Sequence, residues 1–231
     1  MSQMLLDLKP EQPPSFDNFV VGANAELLGR LRDLADSQCC ESVYLWGPAG
    51  CGKSHLLAAT AAAAAGHRPA HFFAAADIGS DIVTAPRMLL AIDDAQQLGD
   101  AAQIALFRVF NAARLAGLTL ILAGDEPPAR LRLREDLRTR IGQAMIYEMK
   151  TLSDAEKSAA LTRHALMRGM KVDIGLIHYL LSRGRRDLPS LMAVLDSLER
   201  ATLEQQRPAT LPLLKEIMQP QLEENHEPRP V

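Results

Sequence analysis

A chain of 231 residues, 48% of them hydrophobic, can bury a full core and suits one medium-sized domain with a small appendage rather than two large domains. Its formal net charge of −3 gives no overall basic field toward nucleic acid, and no apolar run approaches the length of a membrane span. Three cysteines, Cys39, Cys40 and Cys51, have neither zinc-ligand spacing nor an even disulfide framework, so reduced thiols and a cytoplasmic place are expected.

Residues 1–15 carry Pro10, Pro13 and Pro14 and read as an extended, poorly packed leader. A helix over Asn24–Asp36 follows, with Asn24 as its cap and Leu27, Leu28, Leu31 and Leu34 on its apolar face. Five apolar runs then read as buried strands: Val43–Trp46, Ala70–Ala74, Met88–Ile92, Leu118–Ala123 and Met145–Met149. Helical stretches lie between most of them, including 53–65, ended by Gly66, and 101–115. Strand and helix in alternation predict a parallel sheet covered on both faces.

Between the first strand and its helix stands Gly47-Pro48-Ala49-Gly50-Cys51-Gly52-Lys53-Ser54, which fits the phosphate-loop pattern G-x-x-x-x-G-K-[ST]. Glycines let backbone N–H groups turn inward around a phosphate, Lys53 supplies a point charge for the β and γ oxygens, and the Ser54 hydroxyl suits Mg²⁺. The start of the following helix, Lys53, Ser54 and His55, adds a partial positive charge to the same anion site. The strand Met88–Ile92 ends in Asp93-Asp94. At a strand's carboxyl end, Asp93 is placed to hold Mg²⁺ through water and Asp94 to orient an attacking water. Asp125 emerges after Leu118–Ala123, either beside the γ-phosphate or as a turn residue before Pro127-Pro128.

Beyond Lys150 no strand run appears. Ser153-Asp154-Ala155-Glu156 is a capping-box signature for a helix reaching Met167. Further helices are expected from Asp173 to Ser182, from Leu188 to Gln205 and from Leu211 to Met218. Gln219–Val231, with three prolines and several charges, reads as disordered. The organisation expected is a leader (1–15), an α/β base (16–150), an all-α domain (151–218) and a tail (219–231). Arg114 and the arginines at 130, 132, 134, 138 and 140 crowd one region, but Glu135 and Asp136 interrupt them, which suits a solvated helix face.

Ser15-Phe16-Asp17-Asn18-Phe19-Val20-Val21-Gly22-Ala23-Asn24, the phosphate loop, Asp93-Asp94 and Gly124-Asp125-Glu126-Pro127-Pro128 together resemble the AAA+ module of the bacterial replication initiator DnaA, over residues 15–218. The resemblance implies a P-loop NTPase base with a five-stranded parallel sheet, helices on both its faces, and a helical lid. It implies an adenine pocket lined by Val20, Val21 and Gly22, bound ADP or ATP with Mg²⁺, and Asp125 as the first sensor. Leu137-Arg138-Thr139-Arg140-Ile141-Gly142 is similar to the family's L-x-S-R-F-G stretch and makes Arg140 an arginine finger acting in trans. Arg186-Asp187-Leu188-Pro189-Ser190-Leu191 is similar to R-E-L-x-x-L and makes Arg186 the second sensor. Read without the family, either arginine is an exposed side chain pairing with Glu135 or Asp187.

The 231 residues leave no room for the initiator's helix-turn-helix domain after the lid, which is similar to the Hda branch of the family, the paralogues that inactivate DnaA. Gln3-Met4-Leu5-Leu6-Asp7-Leu8 fits Q-[LM]-x-L-x-L, the form by which members of that branch dock on the sliding clamp, the β subunit of DNA polymerase III. Gln3, Met4, Leu6 and Leu8 would make the contact. The resemblance therefore implies DnaA and the clamp as partners, DNA contacted through the clamp or weakly, no membrane, and a nucleoid or replisome association. It leaves a homodimer or homo-oligomer open. The activity it implies is stimulation of ATP hydrolysis by DnaA, with weak or no intrinsic turnover. The alternative is an ATPase acting by its own hydrolysis, such as a helicase loader.

Overall fold

Residues 13–36, 40–185 and 187–224 are described by the computed structural model, the side chains of 220–224 excepted. Gln3, Met4, Leu6, Leu8, Cys39 and Arg186 lie outside them. The chain divides between Thr151 and Leu152 into two units, each with its own core.

The first unit is built on five parallel strands, β1 (Ser42–Trp46), β2 (Ala70–Ala74), β3 (Leu89–Asp93), β4 (Thr119–Gly124) and β5 (Met145–Glu148), in the order β2-β3-β4-β1-β5. Successive strand side chains point to opposite faces, and the sequence supplies apolar residues at both parities. Tyr44, Leu90, Ile92, Leu120 and Leu122 enter one core. Val43, Leu45, Leu89, Ala91, Ile121 and Ala123 enter the other. Helices α1 (Ala25–Asp36) and α2 (Lys53–Ala64) close the second core, and α3 (Asp100–Ala116) and α4 (Glu135–Gly142) close the first.

Burial is complete only in the middle of the sheet. β2 and β5 form as expected but are edge strands, and Phe72, Met145 and Ile146 are exposed. Exposure at an edge is not confined to one face: the successive residues Met145 and Ile146 are both exposed, while in β2 Ala70 and Phe73 pack toward different cores. In α3 the buried face is carried by Ala102, Ala105, Leu106, Val109 and Ala113, while Ile104 and Leu115 point outward. A buried cation, Arg68, donates to the Thr119 hydroxyl at 2.9 Å and to the Leu34 carbonyl, fastening the end of α1 to the start of β4.

Asn24 does not cap α1 with its side chain. Its carbonyl starts the helix by accepting from Leu28 N–H at 3.0 Å. The amide instead pairs with the Lys150 backbone: Nδ2 donates to Lys150 O at 3.0 Å, and Oδ1 accepts from Lys150 N at 2.8 Å. One buried side chain thus stands in for a strand neighbour just past β5 and ties the entry segment to the end of the sheet. The segment before it is also anchored. Ser15 and Asn18 bond each other's backbone N–H reciprocally, and Ser15 O lies 2.9 Å from His55 Nε2, so 13–15 are less loose than the leader reading expects.

The second unit is all helix: α5 (Asp154–Met167), α6 (Ile174–Arg183), α7 (Leu188–Gln205) and α8 (Leu211–Glu224). Ser153 and Glu156 form the expected capping box, and these hydrogen bonds hold the Glu156 carboxyl below its ordinary pKa. Asp173 and Asp187 cap α6 and α7 through Gly175 N and Ser190 N. Burial would raise Asp187, but its hydrogen bonds from Ser190 outweigh that and hold it low. Leu161, Leu180, Leu191, Leu195, Leu198 and Leu214 form the core. α5 and α7 are also joined by a charged chain, in which Asp196 meets His164 at 2.7 Å and Arg168 at 3.0 Å, and Arg168 reaches Glu199 at 2.6 Å. α8 continues to Glu224, past the expected end at Met218 and through Pro220, so 219–224 extend the helix instead of beginning the tail.

Asn24→Ala removes two part-buried bonds between Asn24 and the Lys150 backbone, which costs roughly 1–2 kcal/mol. The urea midpoint of the first unit, followed by fluorescence of the one tryptophan, Trp46, should fall accordingly. An unchanged midpoint would show that the pairing contributes nothing.

Candidate nucleotide-binding site

The strand order brings three carboxyl ends together. β4 and β1 are neighbours whose connections leave in different directions, and Trp46 pairs with Gly124 at the point where both strands stop. Open α/β sheets bind ligands at such a switch point. Around it lie the loop 47–52, the Asp93-Asp94 turn and Asp125.

Two glycines of the loop, Gly50 at φ 75° and Gly52 at φ 99°, take left-handed conformations that turn the chain back on itself. A side chain at Gly52 would also meet the Phe19 ring at 2.8 Å. Gly52 gives α2 no side-chain cap, so the first-turn N–H groups of Lys53, Ser54 and His55 are the donors an anion would receive. Burial raises the Cys51 thiol above its ordinary pKa, with nearby Lys53 opposing, which describes a packing residue and not a reactive thiolate.

Lys53 is buried to 6% exposure, and its ammonium meets three acceptors: Gly47 O at 2.6 Å, Pro48 O at 3.1 Å and Asp125 Oδ1 at 3.0 Å. These satisfy its three donors. Asp125 is half-exposed, so it is the partner that an incoming phosphate can displace.

Gln96, absent from the sequence candidates, joins the carboxylates. Its Nε2 donates to Asp125 Oδ2 at 2.9 Å and to Asp94 Oδ1 at 3.1 Å. The two carboxylates fix the amide's orientation, leaving its Oε1 buried without a hydrogen bond. Asp94 takes φ 53° and starts the short turn Ala95–Gln97 that delivers Gln96. Asp93 is buried and accepts from Asp94 N–H at 3.0 Å. The line Lys53–Asp125–Gln96–Asp94 therefore connects the loop to the ends of β4 and β3.

Tyr44 supports Asp125 from beneath. Its buried hydroxyl donates to Glu126 O at 2.7 Å, and a side chain at Gly124 would lie 2.3 Å from that oxygen. Burial, with Asp125 and Glu126 adding, pushes the phenol far above its ordinary pKa, so it remains a donor. On the entry side, Phe19 packs on His55 with ring centroids 5.6 Å apart and borders Gly52, which places Val20, Val21 and Gly22 beside the loop. Ser54 is exposed on the first turn of α2.

Arg140 stands apart from these groups. Leu137 and Ile141 bury the inner face of α4, and Arg140 is exposed, its guanidinium donating to the Gln143 amide oxygen at 3.4 Å. It does not pair with Glu135. The ion pair here joins Arg134 and Asp136 at 2.9 Å, and this partner holds the Asp136 carboxyl low.

Residues 154–218 match the family model "Hda, lid domain". The match covers α5 to α7 and the start of α8, so the second unit is similar to an Hda lid domain over that span. The whole chain is similar in structure to domain III of the replication initiation protein DnaA from Thermotoga maritima, with a TM-score of 0.75 at 15% identity, over 92% of this chain and 98% of that one. It is also similar to AMPPCP-bound DnaA from Aquifex aeolicus (TM-score 0.72, 20% identity, 95% of this chain and 71% of that one). A RuvB mutant from Thermotoga maritima gives 0.69 at 18%, over 90% and 72%. The fold is thus that of a DnaA-like AAA+ base followed by an Hda-type lid.

Gly124→Ala forces a methyl against the Tyr44 hydroxyl and should destabilise the first unit by about 1–3 kcal/mol. Tyr44→Phe removes that oxygen, so the double variant should recover part of the loss, with a coupling of roughly 1 kcal/mol in a double-mutant cycle followed by Trp46 fluorescence. Strict additivity would mean that the close approach is not what requires glycine.

Proposed function

We propose that the protein is a regulator of replication initiation that stimulates ATP hydrolysis by DnaA. The observation that carries this reading is Arg140, exposed on α4 with no carboxylate within ion-pair distance among the described residues, in a chain whose residues 154–218 match an Hda lid domain. A cation kept unpaired at a surface is available to a neighbour's γ-phosphate, where a trans arginine stabilises the charge of the transition state. The hydrolysis would take place in DnaA's site, with Arg140 as the contributed catalytic residue.

The protein's own site suits an adenine nucleotide, ADP or ATP. The loop 47–52 and the start of α2, through Ser54 and His55, would receive the phosphates, with Lys53 exchanging Asp125 for a phosphate oxygen. Val20, Val21 and Gly22 would border the base, and Arg186, outside the described residues, is the second sensor that the family resemblance implies. Ser54, and Asp93 through water, would hold Mg²⁺, which when bound neutralises phosphate charge. Because Gln96 bonds both Asp94 and Asp125, displacing Asp125 from Lys53 would be felt at Asp94, which suits a nucleotide-responsive switch more than rapid turnover. Gln3, Met4, Leu6 and Leu8 would dock on the sliding clamp, which gives the protein a cytoplasmic, replisome-associated place.

With labelled ATP preloaded on DnaA and clamp present on DNA, Arg140→Ala should lower the stimulated hydrolysis by about a thousandfold while retaining clamp binding and its own nucleotide. Undiminished stimulation would overturn the mechanism. Gln3→Ala should lose clamp in a pull-down, and unchanged capture would remove the leader from it. One specific feature favours a second reading, an ATPase acting by its own hydrolysis: Asp93, Asp94 and Lys53 form a complete acid and cation set. Robust turnover by the protein alone, abolished by Lys53→Ala, would decide for that reading.

A further inference from the structure

The stretch 130–140 carries five arginines against two carboxylates, in a chain whose net charge is −3. Its burial pattern presents them outward. Leu131, Leu133, Leu137 and Ile141 enter the core, while Arg130, Arg132, Arg134 and Arg140 between them are exposed and Arg138 is half-buried. Arg130 ends the short turn Pro128–Arg130, the backbone is extended at Leu131 and again at Arg134, and Arg138 and Arg140 lie on α4.

The acidic residues do not neutralise this surface. Asp136 is taken up by Arg134, through Nη2 at 2.9 Å and Nε at 3.2 Å, and by Leu137 N–H at 2.8 Å. Among the described residues, Arg130, Arg132 and Arg138 have no carboxylate within ion-pair distance, which leaves Glu135 as the nearby counter-charge in sequence. All the cations here are arginine; no lysine lies between Lys53 and Lys150. A guanidinium binds phosphate oxygens in a bidentate fork and is more weakly hydrated than an ammonium. No aromatic residue interleaves them between Phe110 and Tyr147, so the surface lacks the stacking platforms by which single strands are held.

We propose that Arg130, Arg132 and Arg138 form a sequence-independent contact for the phosphate backbone of duplex DNA. The site is separate from Arg140's action on DnaA and does not depend on it. Its chemistry is positioning: phosphate contacts fix where a protein sits on a duplex but carry no base information. Three phosphate contacts give weak, salt-sensitive binding, with log K falling against log salt at a slope of about −3.

The test is fluorescence anisotropy of a labelled 30-base-pair duplex of arbitrary sequence with the full chain, without DnaA or clamp, over a salt series beginning near 50 mM. Binding with a slope of about −3 is expected. Arg130→Glu combined with Arg132→Glu should weaken it more than tenfold and reduce the slope by roughly two, and the milder Arg132→Ala should reduce it by roughly one. Trp46 fluorescence should show an unchanged unfolding midpoint in both variants. No duplex binding at low salt overturns the proposal, as does equal binding by Arg132→Ala. Displacement of the duplex by polyglutamate as readily as by unlabelled duplex, at equal charge concentration, also overturns it and assigns the surface to an acidic protein.

Discussion

An ammonium buried to 6% exposure must find acceptors, because an unpaired buried charge costs several kcal/mol, and Lys53 finds them in its own loop and in Asp125. Much of the first unit serves that placement. The two loop carbonyls are within reach because Gly50 and Gly52 turn the chain left-handed, and Gly52 can sit there because Phe19 packs on a position without a side chain. Asp125 is within reach because β4 lies beside β1 and Tyr44 holds the Glu126 carbonyl, with a glycine at 124 leaving room for the phenol. The acceptors are unequal. Two are backbone groups fixed by the loop, and the third is a half-exposed carboxylate shared with Gln96. On the proposed function, an anion arriving at the start of α2 would compete with Asp125, and the amide that shares Asp125 would carry the competition to Asp94.

The sequence made the parallel sheet legible because the central strands are apolar at both parities, a pattern with few other solutions. It made the turn after β1 legible because its glycines mark positions that take a left-handed backbone, as Gly50 and Gly52 do. It did not distinguish edge from centre: Ala70–Ala74 and Met145–Met149 look as apolar as the middle strands, and edge position depends on which strand each one pairs with. It also hid the buried face of α3, where alanines do the packing and Ile104 and Leu115 face outward. Propensity pointed to Asn24 as a helix cap, yet its amide bonds a backbone 126 residues away, a partner that no local pattern contains. Gln96 was missed for a similar reason. Its meaning comes from two carboxylates on different strands, brought within one amide's reach by the order β3-β4-β1.

The same alternation that buries one side of a segment decides what its other side can do. Between Pro128 and Ile141 the buried leucines and isoleucine leave arginines no inward direction, so the charge gathers on the surface whatever its use. Where a carboxylate stands at the right place, as Asp136 does for Arg134, the charge is absorbed within the unit and the helix gains a pair in its first turn. Arg130, Arg132, Arg138 and Arg140 lack such a neighbour among the described residues, and a cluster of one sign repels itself. Solvation would make each arginine tolerable singly. What sets the stretch apart is density: four arginines within eleven positions have no carboxylate within ion-pair distance among the described residues. Unpaired positive charge concentrated on one rigidly anchored segment is best accounted for by anionic partners outside the chain. The fold supplies two kinds of address for them: one arginine on a regular helix, where geometry can be exacting, and others on extended chain and the helix flank, where contact with a repeating phosphate backbone requires only charge and reach.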